Sequence, residues 1–323
     1  MSLKKKRIKE SLATKQEIGA LEKWGIVRKR IKGFYYIQSQ DGKFVECKIK
    51  GNLFKDDLFK NQVAVGDRVI FNKSPNDSVG LIQRIEPRKS FLSRSRVGKT
   101  VEQVIASNID HLLIVCAAKD PAFRPNLVFR MLVAARVGNI HPVLVITKSD
   151  LVQQQQIDEI LEPFRKLELD WIISSLFDPP EKDEKFLNLI LNNVTVLSGQ
   201  SGVGKSSMLN KFFPDLHLKT GNVNMRTTRG LHTTTFAEMH ELNKGSFVID
   251  TPGIREFGLW NVTQKNLNEY FPIIEDYQHG CKHRDCIHFT EPGCVVQADL
   301  ESGEIHPTVY QGYLAILESL QRK

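Results

Sequence analysis

The sequence predicts a multidomain protein with a small N-terminal β-barrel, a mainly parallel α/β domain and a mostly helical C-terminal domain. Three observations lead to this fold class. Short β-prone segments separated by turn signals fill residues 24–90, strand-like and helical runs alternate from about residue 105, and three cysteines lie close together at 281–294. With 323 residues, the chain is long enough for two or three domains.

Composition and charge restrict the class of protein. The apolar content of 41% and the charged content of 25% are ordinary for a folded protein, and no apolar run approaches the ~18 residues of a membrane span. The N-terminus lacks a hydrophobic signal region, so we expect a cytoplasmic protein without membrane attachment. Residues 1–32 hold eleven Lys or Arg and three Glu, which accounts for the whole net charge of +8. We expect residues 1–22 to form a basic, disordered tail that is attracted to polyanions.

The predicted barrel spans residues 23–92. Its segments GIVRKRIKGFYYIQ, KFVECKIKG and DRVIFNK interleave basic residues with aromatic ones, between turn signals such as Asp41-Gly42 and Gly66-Asp67. About five short strands with such a surface are typical of an OB-like fold, a common platform for nucleic acids. A plainer interpretation is that the aromatics form a core and the lysines a solvated face. We favour it for individual residues, and RNA contact for the domain as a whole.

The predicted α/β domain spans residues 93–260, and from about residue 105 it alternates between strands and helices. HLLIVCAA, PVLVITKSD and DWIISSL have the composition of buried strands, and PNLVFRMLVAARVG and QQQQIDEILEPFRKL that of helices. NVTVLSGQSGVGKSSMLNKFF follows as strand, loop and helix, and KGSFVIDTPG as a strand that ends in a loop. This alternation favours a mainly parallel sheet covered on both faces.

A phosphate-binding loop is predicted between the strand VTVLS and the helix SSMLNKFF, where the sequence matches G-x-x-x-x-G-K-[ST]. Glycines there let backbone N–H groups wrap phosphate oxygens, and the helix N-terminus adds partial positive charge. Lys205 is expected to reach the β- and γ-phosphates, and Ser206 to bind Mg²⁺. The predicted nucleotide-binding residues are Gly199, Gln200, Ser201, Gly202, Val203, Gly204, Lys205, Ser206 and Ser207.

The identity of the nucleotide base that the site selects is predicted from segments that follow two other strands. After one of them stands Thr147-Lys148-Ser149-Asp150, and the Asp150 carboxylate can accept hydrogen bonds from N1–H and the exocyclic amine of guanine, a donor pair that adenine lacks. The stem of Lys148 can cover the base, and a backbone amide near Ser174 and Ser175 can meet guanine O6. TKSD alone is a weak signal that could be a simple turn. Its position at a strand end, in one sheet with the phosphate loop, favours guanine selection.

The segment Asp250-Thr251-Pro252-Gly253 ends a further strand about 45 residues after the phosphate loop. Asp250 can order the Mg²⁺ shell through water, and the Gly253 N–H can sense the γ-phosphate. The guanine motif therefore precedes the phosphate loop, which reverses the order found in ordinary small GTPases.

The order TKSD, SSL, GQSGVGKS, HTTT, DTPG is similar to that of the circularly permuted GTPases. With the preceding barrel, the segments GLHTTT, DTPGIREFGLW and CKHRDCIHFTEPGC resemble the ribosome-small-subunit-dependent GTPase family, RsgA (YjeQ), over nearly all of residues 24–323. The resemblance implies hydrolysis of GTP to GDP and phosphate, binding to the 30S subunit and its 16S rRNA, a role late in 30S maturation, and stimulation by that subunit. One departure is Thr147, where family members usually carry Asn. The short hydroxyl puts the contribution of Thr147 to GTP affinity in question.

RGLHTTTF at 229–236 lies between the phosphate loop and DTPG, where the first switch is expected. Thr234 is the predicted second Mg²⁺ ligand, with the two adjacent threonines as alternatives. The residue after the DTPG glycine is Ile254, which cannot orient water, whereas Ras-like proteins carry Gln there. We therefore predict slow intrinsic turnover. His232 is the candidate to orient the attacking water, and the alternatives are that it contacts rRNA or only packs.

The C-terminal domain, residues 261–323, is predicted to hold a structural Zn²⁺. Three sulfurs and one imidazole suit tetrahedral zinc and leave no open coordination position. The predicted ligands are Cys281, Cys286, His288 and Cys294. His279 or His283 could replace His288, and unligated thiols are the plainer alternative. Cys47 and Cys116 are predicted to be isolated buried thiols.

Two other functions fit parts of the sequence. In a GTP-dependent RNA-binding switch, nucleotide occupancy rather than turnover would be the output, and Ile254 is compatible with this alternative. An ATP-dependent nucleic-acid enzyme would also carry a phosphate loop, but Asp150 argues against it. Because the second switch at 254–258 runs directly into residues 261–323, a nucleotide-dependent shift of the C-terminal domain is a further hypothesis. We expect a monomer that binds GTP and GDP.

Overall fold

The structure, a computed structural model, divides the chain into two compact units, one ending at Arg88 and the other beginning at Lys89. The predicted basic tail lies outside the described residues, apart from Glu22 at the start of the first strand. The described residues are 22–31, 33–49, 63–95, 102–179, 182, 184–214, 237–243, 245–250, 258–277 and 280–321.

The first unit is a closed barrel of five strands, as the sequence predicts. β1, β2 and β3 form an antiparallel meander, β3 pairs in parallel with β5, and β4 joins β5 to β1. The pairing of β4 with β1 closes the sheet and removes its free edges. The strands are β1 (Glu22–Ile31), β2 (Phe34–Ser39), β3 (Phe44–Ile49), β4 (Arg68–Asn72) and β5 (Gly80–Ile85).

Alternation along the strands decides which side chains enter the barrel. In β2, Tyr35 and Ile37 are buried, while Phe34 and Tyr36 lie on the outer face and are half-buried. The aromatics are therefore divided between the two interpretations, because Tyr35 belongs to the core whereas Phe44 is 63% exposed. The barrel core consists of Val27, Tyr35, Ile37, Cys47, Val63, Val69, Phe71 and Ile82.

The second unit contains the predicted mainly parallel sheet. Its strand order is β10-β9-β8-β11-β13-β12, and only β12 is antiparallel to its neighbour. The strands are β8 (His111–Ala117), β9 (His141–Thr147), β10 (Asp170–Ile173), β11 (Val194–Ser198), β12 (Glu238–Asn243) and β13 (Ser246–Asp250). The sequence analysis did not predict β12, nor the separate hairpin of β6 (Phe91–Ser95) and β7 (Glu102–Ser107).

Helices connect the parallel strands, and loops at one edge of the sheet join the strand ends to these helices. Helix α1 has Pro125 in its first turn and Gly138 just past its end, which is the usual distribution of these two residues. The helices of this region are α1 (Pro125–Val137), α2 (Gln154–Leu161), α3 (Glu184–Ile190) and α4 (Lys205–Phe212). Because β9, β10, β11 and β13 run in the same direction, their carboxyl ends meet at one edge, where ligands bind in open α/β sheets.

The C-terminal region packs on α1. Its long helices are α5 (Val295–Ser302) and α6 (Pro307–Gln321). It begins with turns and two short 3-10 helices (Leu267–Glu269 and Ile274–Tyr277). Among the described residues, no helix is long and apolar enough to cross a membrane.

A column of aromatic rings forms the contact between this region and α1. The ring of Phe129 in α1 stacks on Phe164 at 5.2 Å and on Phe271 at 5.4 Å, and Phe271 meets Tyr313 of α6 edge-on at 5.3 Å. All four rings are fully buried or nearly so. Gly312 allows the close approach, because a Cβ there would overlap the Phe129 ring. Burial of such rings is the main stabilising contribution to this contact.

Candidate nucleotide site and metal centre

The phosphate loop lies between the end of β11 at Ser198 and the start of α4 at Lys205. Gly199 passes so close to the Val115 carbonyl of β8 that a Cβ would overlap its oxygen. Glycine is therefore required here by the packing of the loop on the sheet as well as by the approach of a ligand. Gly204, with φ of 94°, precedes the first turn of α4, which places Ser206 and Ser207 in that turn. Ser201 and Gly202, at the loop tip, are exposed.

The ammonium of Lys205 folds back over the loop. Its Nζ donates to the carbonyl oxygens of Gly199 at 2.9 Å and Gln200 at 2.7 Å. Burial lowers the pKa of Lys205, and the carboxylate of Asp250 opposes this effect. Asp250 is the last residue of β13 and lies beside Leu197 of β11. The Lys205 ammonium and the Asp250 carboxylate thus lie within electrostatic reach of each other, at the point where phosphate and Mg²⁺ bind in a phosphate-loop protein.

Thr147 connects the guanine motif to the phosphate loop. Its side chain is 6% exposed, and its Oγ1 lies 2.5 Å from the Val203 carbonyl oxygen and 3.2 Å from that of Cys116. A hydroxyl carries one proton, so the shorter contact to Val203 is the one it serves as donor. The short side chain therefore joins the ends of β8 and β9 to the loop after β11. The hydrogen bond to Val203 therefore gives a structural role to Thr147, the residue at which this sequence departs from the usual Asn of the family.

The guanine motif and the Ser174-Ser175 segment lie side by side after β9 and β10. The Ser175 hydroxyl donates to Asp150 Oδ1 at 2.5 Å, and the Ser149 N–H donates to the Ser174 carbonyl at 3.4 Å. Lys148 has a left-handed backbone, with φ of 54°, and its Nζ donates to the carbonyl of Asp120. The structure thus brings together Asp150, Ser174 and Ser175, with the exposed Asp150 carboxylate held by one hydroxyl.

Several predicted residues fall where the structure gives no description. Thr234 and its neighbouring threonines, His232, Gly253 and Ile254 lie outside the described residues. Their roles stay predictions. Asp178, which was not among the predicted residues, accepts the Ser175 N–H on Oδ2 at 2.7 Å. The spacing Ser-x-x-Asp after a strand is a turn signal that could have identified it.

The cysteine cluster has the dimensions of a tetrahedral metal site. The Nδ1 of His288 lies 3.4, 3.5 and 3.4 Å from the sulfurs of Cys281, Cys286 and Cys294, and the sulfurs of Cys281 and Cys294 are 4.0 Å apart. Bond lengths of about 2.3 Å for Zn–S and about 2.0 Å for Zn–N give ligand separations of roughly 3.5–3.8 Å in a tetrahedron. The five cysteines form no disulfide, and the cluster could hold a metal ion.

Hydrogen bonds hold the segment around His288 in place. The Glu291 carboxylate accepts the N–H groups of Ile287 at 2.9 Å, Phe289 at 2.8 Å and Thr290 at 3.0 Å. The hydroxyl of Tyr313 donates to the Ile287 carbonyl at 2.8 Å, which joins the cluster to the aromatic column. Of the two alternative ligands, His283 is exposed and not part of the cluster, and His279 lies outside the described residues.

Fold and site together define a P-loop protein of the GTPase class in permuted order. A solved structure described as YloQ, a circularly permuted GTPase, is 27% identical with a TM-score of 0.68, over 95% of this chain and 98% of that one. YjeQ from Thermotoga maritima is 25% identical with a TM-score of 0.70, over 94% and 100% of the two chains. The predicted fold class is confirmed by these neighbours and by the closed barrel.

Family comparisons give the narrower assignment. The RsgA GTPase model matches residues 85–260, and the RsgA N-terminal domain model matches residues 24–82. The small ribosomal subunit biogenesis GTPase RsgA of Chlorobaculum parvum is 36% identical over 92% of this chain and 97% of that protein. The protein of the same description from Streptococcus pyogenes is 34% identical over 93% and 96%. This chain belongs to the RsgA GTPase family.

Replacing Thr147 with valine keeps the shape of the side chain and removes its hydroxyl. Because the Val203 carbonyl loses this donor, we expect the free energy of unfolding to fall by about 1–2 kcal/mol and GDP affinity to fall about three- to tenfold. Chemical denaturation and titration with fluorescent GDP measure the two effects. Thr147→Ser keeps the hydroxyl and is the matched control. A valine variant with unchanged GDP affinity would show that the hydroxyl does not support the loop.

Protein purified without chelators is expected to contain about one zinc per chain, and Cys286→Ala to retain almost none. The loss should also lower Tm, because metal binding stabilises the folded cluster. Elemental analysis and thermal denaturation provide the measurements. Cys47→Ala, at a buried thiol of the barrel, is the control and should leave the zinc content unchanged. Wild-type protein with far less than one zinc per chain would contradict the site.

Proposed function

We propose that this GTPase acts in the biogenesis of the small ribosomal subunit by binding the subunit and hydrolysing GTP there. The observation that carries the proposal is the meeting of Asp150, Ser175 and Lys205 at one edge of the sheet, in a chain whose relatives bear that description over nearly their full length. A guanine-selecting carboxylate at one end and a phosphate-binding lysine at the other suit one nucleotide. Such a role implies a cytoplasmic location.

We assign the nucleotide contacts by these positions. The backbone of residues 199–204 surrounds the phosphates, Lys205 neutralises their charge, and Asp150 accepts the guanine donors while the Lys148 stem covers the base. Ser206 and Thr234 supply hydroxyls to Mg²⁺, and Asp250 acts through water. When bound there, the ion would supply charge stabilisation to the transferred phosphoryl group. Two observations support this site for Mg²⁺: Ser206 lies in the first turn of α4, and the Asp250 carboxylate lies close enough to Lys205 to affect its pKa.

The barrel is our candidate for contact with 16S rRNA. On its outer face the ammonium of Lys48 lies over the Phe34 ring at 4.5 Å, and Phe44 is 63% exposed. Cations paired with aromatic rings on a strand surface suit both phosphates and stacked bases. The basic residues among the first 32 would add sequence-independent attraction to the RNA.

Zinc is the metal we assign to the cluster of Cys281, Cys286, His288 and Cys294. Three thiolates and an imidazole favour zinc over harder cations, and four protein ligands leave no position for a substrate. We therefore give the metal a structural role. It fastens a segment that has few apolar residues of its own to the aromatic column through Tyr313.

GTP turnover measured across a titration of small ribosomal subunits tests the proposal. We expect slow turnover by the isolated protein and an increase of at least about tenfold at saturating subunit, since a group supplied in trans can contribute far more. Large subunits at equal concentration are the control. Cosedimentation with the small subunit without any increase in turnover would favour the RNA-binding switch instead. If the protein does not cosediment with the small subunit and its turnover is not stimulated, the ribosomal role is refuted.

We further propose His232 as the group that orients the attacking water, because Ile254 cannot do so. His232→Ala is expected to lower the subunit-stimulated kcat by about 10²–10⁴-fold, the usual contribution of an acid–base group. GDP affinity should stay unchanged. His240→Ala, at a half-buried histidine of β12, is the matched control. Unchanged stimulated turnover in the His232 variant would assign the role to another group.

A further inference from the structure

The loop after β10, residues 175–178, is closed on itself by hydrogen bonds. The Asp178 Oδ2 accepts the Ser175 N–H at 2.7 Å, and the Asp178 N–H donates back to the Ser175 carbonyl at 3.2 Å. The Phe177 N–H donates to the Ser175 hydroxyl oxygen at 3.1 Å. These bonds fix the conformation of Ser175 from three directions. The same Ser175 hydroxyl donates to Asp150 at 2.5 Å, so the loop also fixes the guanine-selecting carboxylate.

A side chain of α4 also reaches this loop. Lys211, in the last turn of α4, donates from Nζ to the Asp178 carbonyl at 2.9 Å and to the Ser175 carbonyl at 3.3 Å. An ammonium shared by two carbonyls makes charge-assisted hydrogen bonds, which are stronger than neutral ones. Lys211 is only half-buried, but its two acceptors belong to the same four-residue loop. It therefore restrains the position of the loop as a whole.

Because Lys211 lies on α4, its contact links the 175–178 loop to the phosphate end of the site. The same helix begins with Lys205 and Ser206 at the phosphate end of the site, and it has eight residues in all. A chain of contacts runs from the phosphate helix through Lys211 to Ser175, and from Ser175 to Asp150. Because a helix is rigid, this chain sets the distance between the phosphate end and the base end of the site.

We propose that Lys211 is a positioning residue for guanine selection, holding the 175–178 loop so that Ser175 keeps Asp150 aligned with the N1–H and exocyclic amine of the base. The inference rests on the proposed role of Asp150. Lys211 touches neither nucleotide nor Mg²⁺ in this scheme and acts only through the loop. Its stem and its ammonium, 5.3 Å from the Phe212 ring, also pack at the edge of the core, so a purely structural role is the competing explanation.

The two explanations differ in what they predict for different bases. Hypoxanthine lacks the exocyclic amine but presents the same N1–H and the same phosphates, so IDP loses half of the Asp150 contact. A misaligned Asp150 weakens GDP more than IDP, because GDP depends on both hydrogen bonds at once. A general loss of stability weakens both nucleotides equally.

The experiment measures Kd for GDP and for IDP by isothermal titration in wild type, Lys211→Met, Lys211→Arg and Asp178→Asn. Methionine keeps the length of the stem and removes the charge, and arginine restores a cationic donor. Lys185→Met is the matched control, since Lys185 donates to the Trp171 carbonyl at 3.2 Å, at the opposite end of β10. Thermal denaturation of each variant verifies that it is folded.

We expect Lys211→Met to weaken GDP about three- to tenfold, the effect of one charge-assisted hydrogen bond, and IDP less than about twofold. Lys211→Arg should recover most of the difference, Asp178→Asn should reproduce it, and Lys185→Met should leave the ratio at the wild-type value. An unchanged GDP-to-IDP ratio in both Lys211→Met and Asp178→Asn overturns the proposal. Wild-type protein that does not prefer GDP to IDP would instead refute the assignment of Asp150.

Discussion

The hydrogen bond from Thr147 to the Val203 carbonyl is the contact on which the geometry of the nucleotide site depends. The chain order places the guanine motif, which follows β9, and the phosphate loop far apart in sequence, with α2, β10, α3 and β11 between them. Parallel pairing brings the strand ends to one edge, but it leaves the loops free to differ in height and direction. The buried Thr147 hydroxyl between the two loops removes that freedom. Because Asp150 follows three residues later, this hydrogen bond also restrains the position of Asp150.

Within the described part of the chain, the C-terminal region is attached to the face of α1. Its contact with α1 includes packed, fully buried rings and polar contacts of Arg130 with Ser319 and of Arg136 with Glu275. The Tyr313 hydroxyl continues this contact to the segment that carries His288. Packed aromatic surfaces rearrange only at considerable cost, because each ring loses most of its contacts when displaced. A movement of this region driven by the second switch would therefore have to carry α1 with it or separate that column of rings.

Local signals in the sequence were sufficient to predict the main elements. They could not predict contacts between residues that are distant in sequence. The five-stranded barrel, the parallel sheet and the cysteine cluster follow from periodicity, turn residues and ligand spacing within short windows. The partner of Thr147 is 56 residues away and that of Lys211 is 33 or 36 residues away, so no window contains both members of either pair. β12 was missed because its outward-facing residues are Glu, His and Asn, which lack a strand's usual composition.

The aromatic column also constrains the order in which the chain can complete its fold. Phe129 and Tyr313 are separated by more than half of the sequence, so the part of α1 that α6 covers in the folded protein stays uncovered until the last helix has left the ribosome. During synthesis the nucleotide half of the second unit can form before its final layer arrives. Until α6 docks, the side of the Phe129 ring that meets Gly312 lacks its cover, and uncovered apolar surface of this kind favours aggregation of a nascent chain.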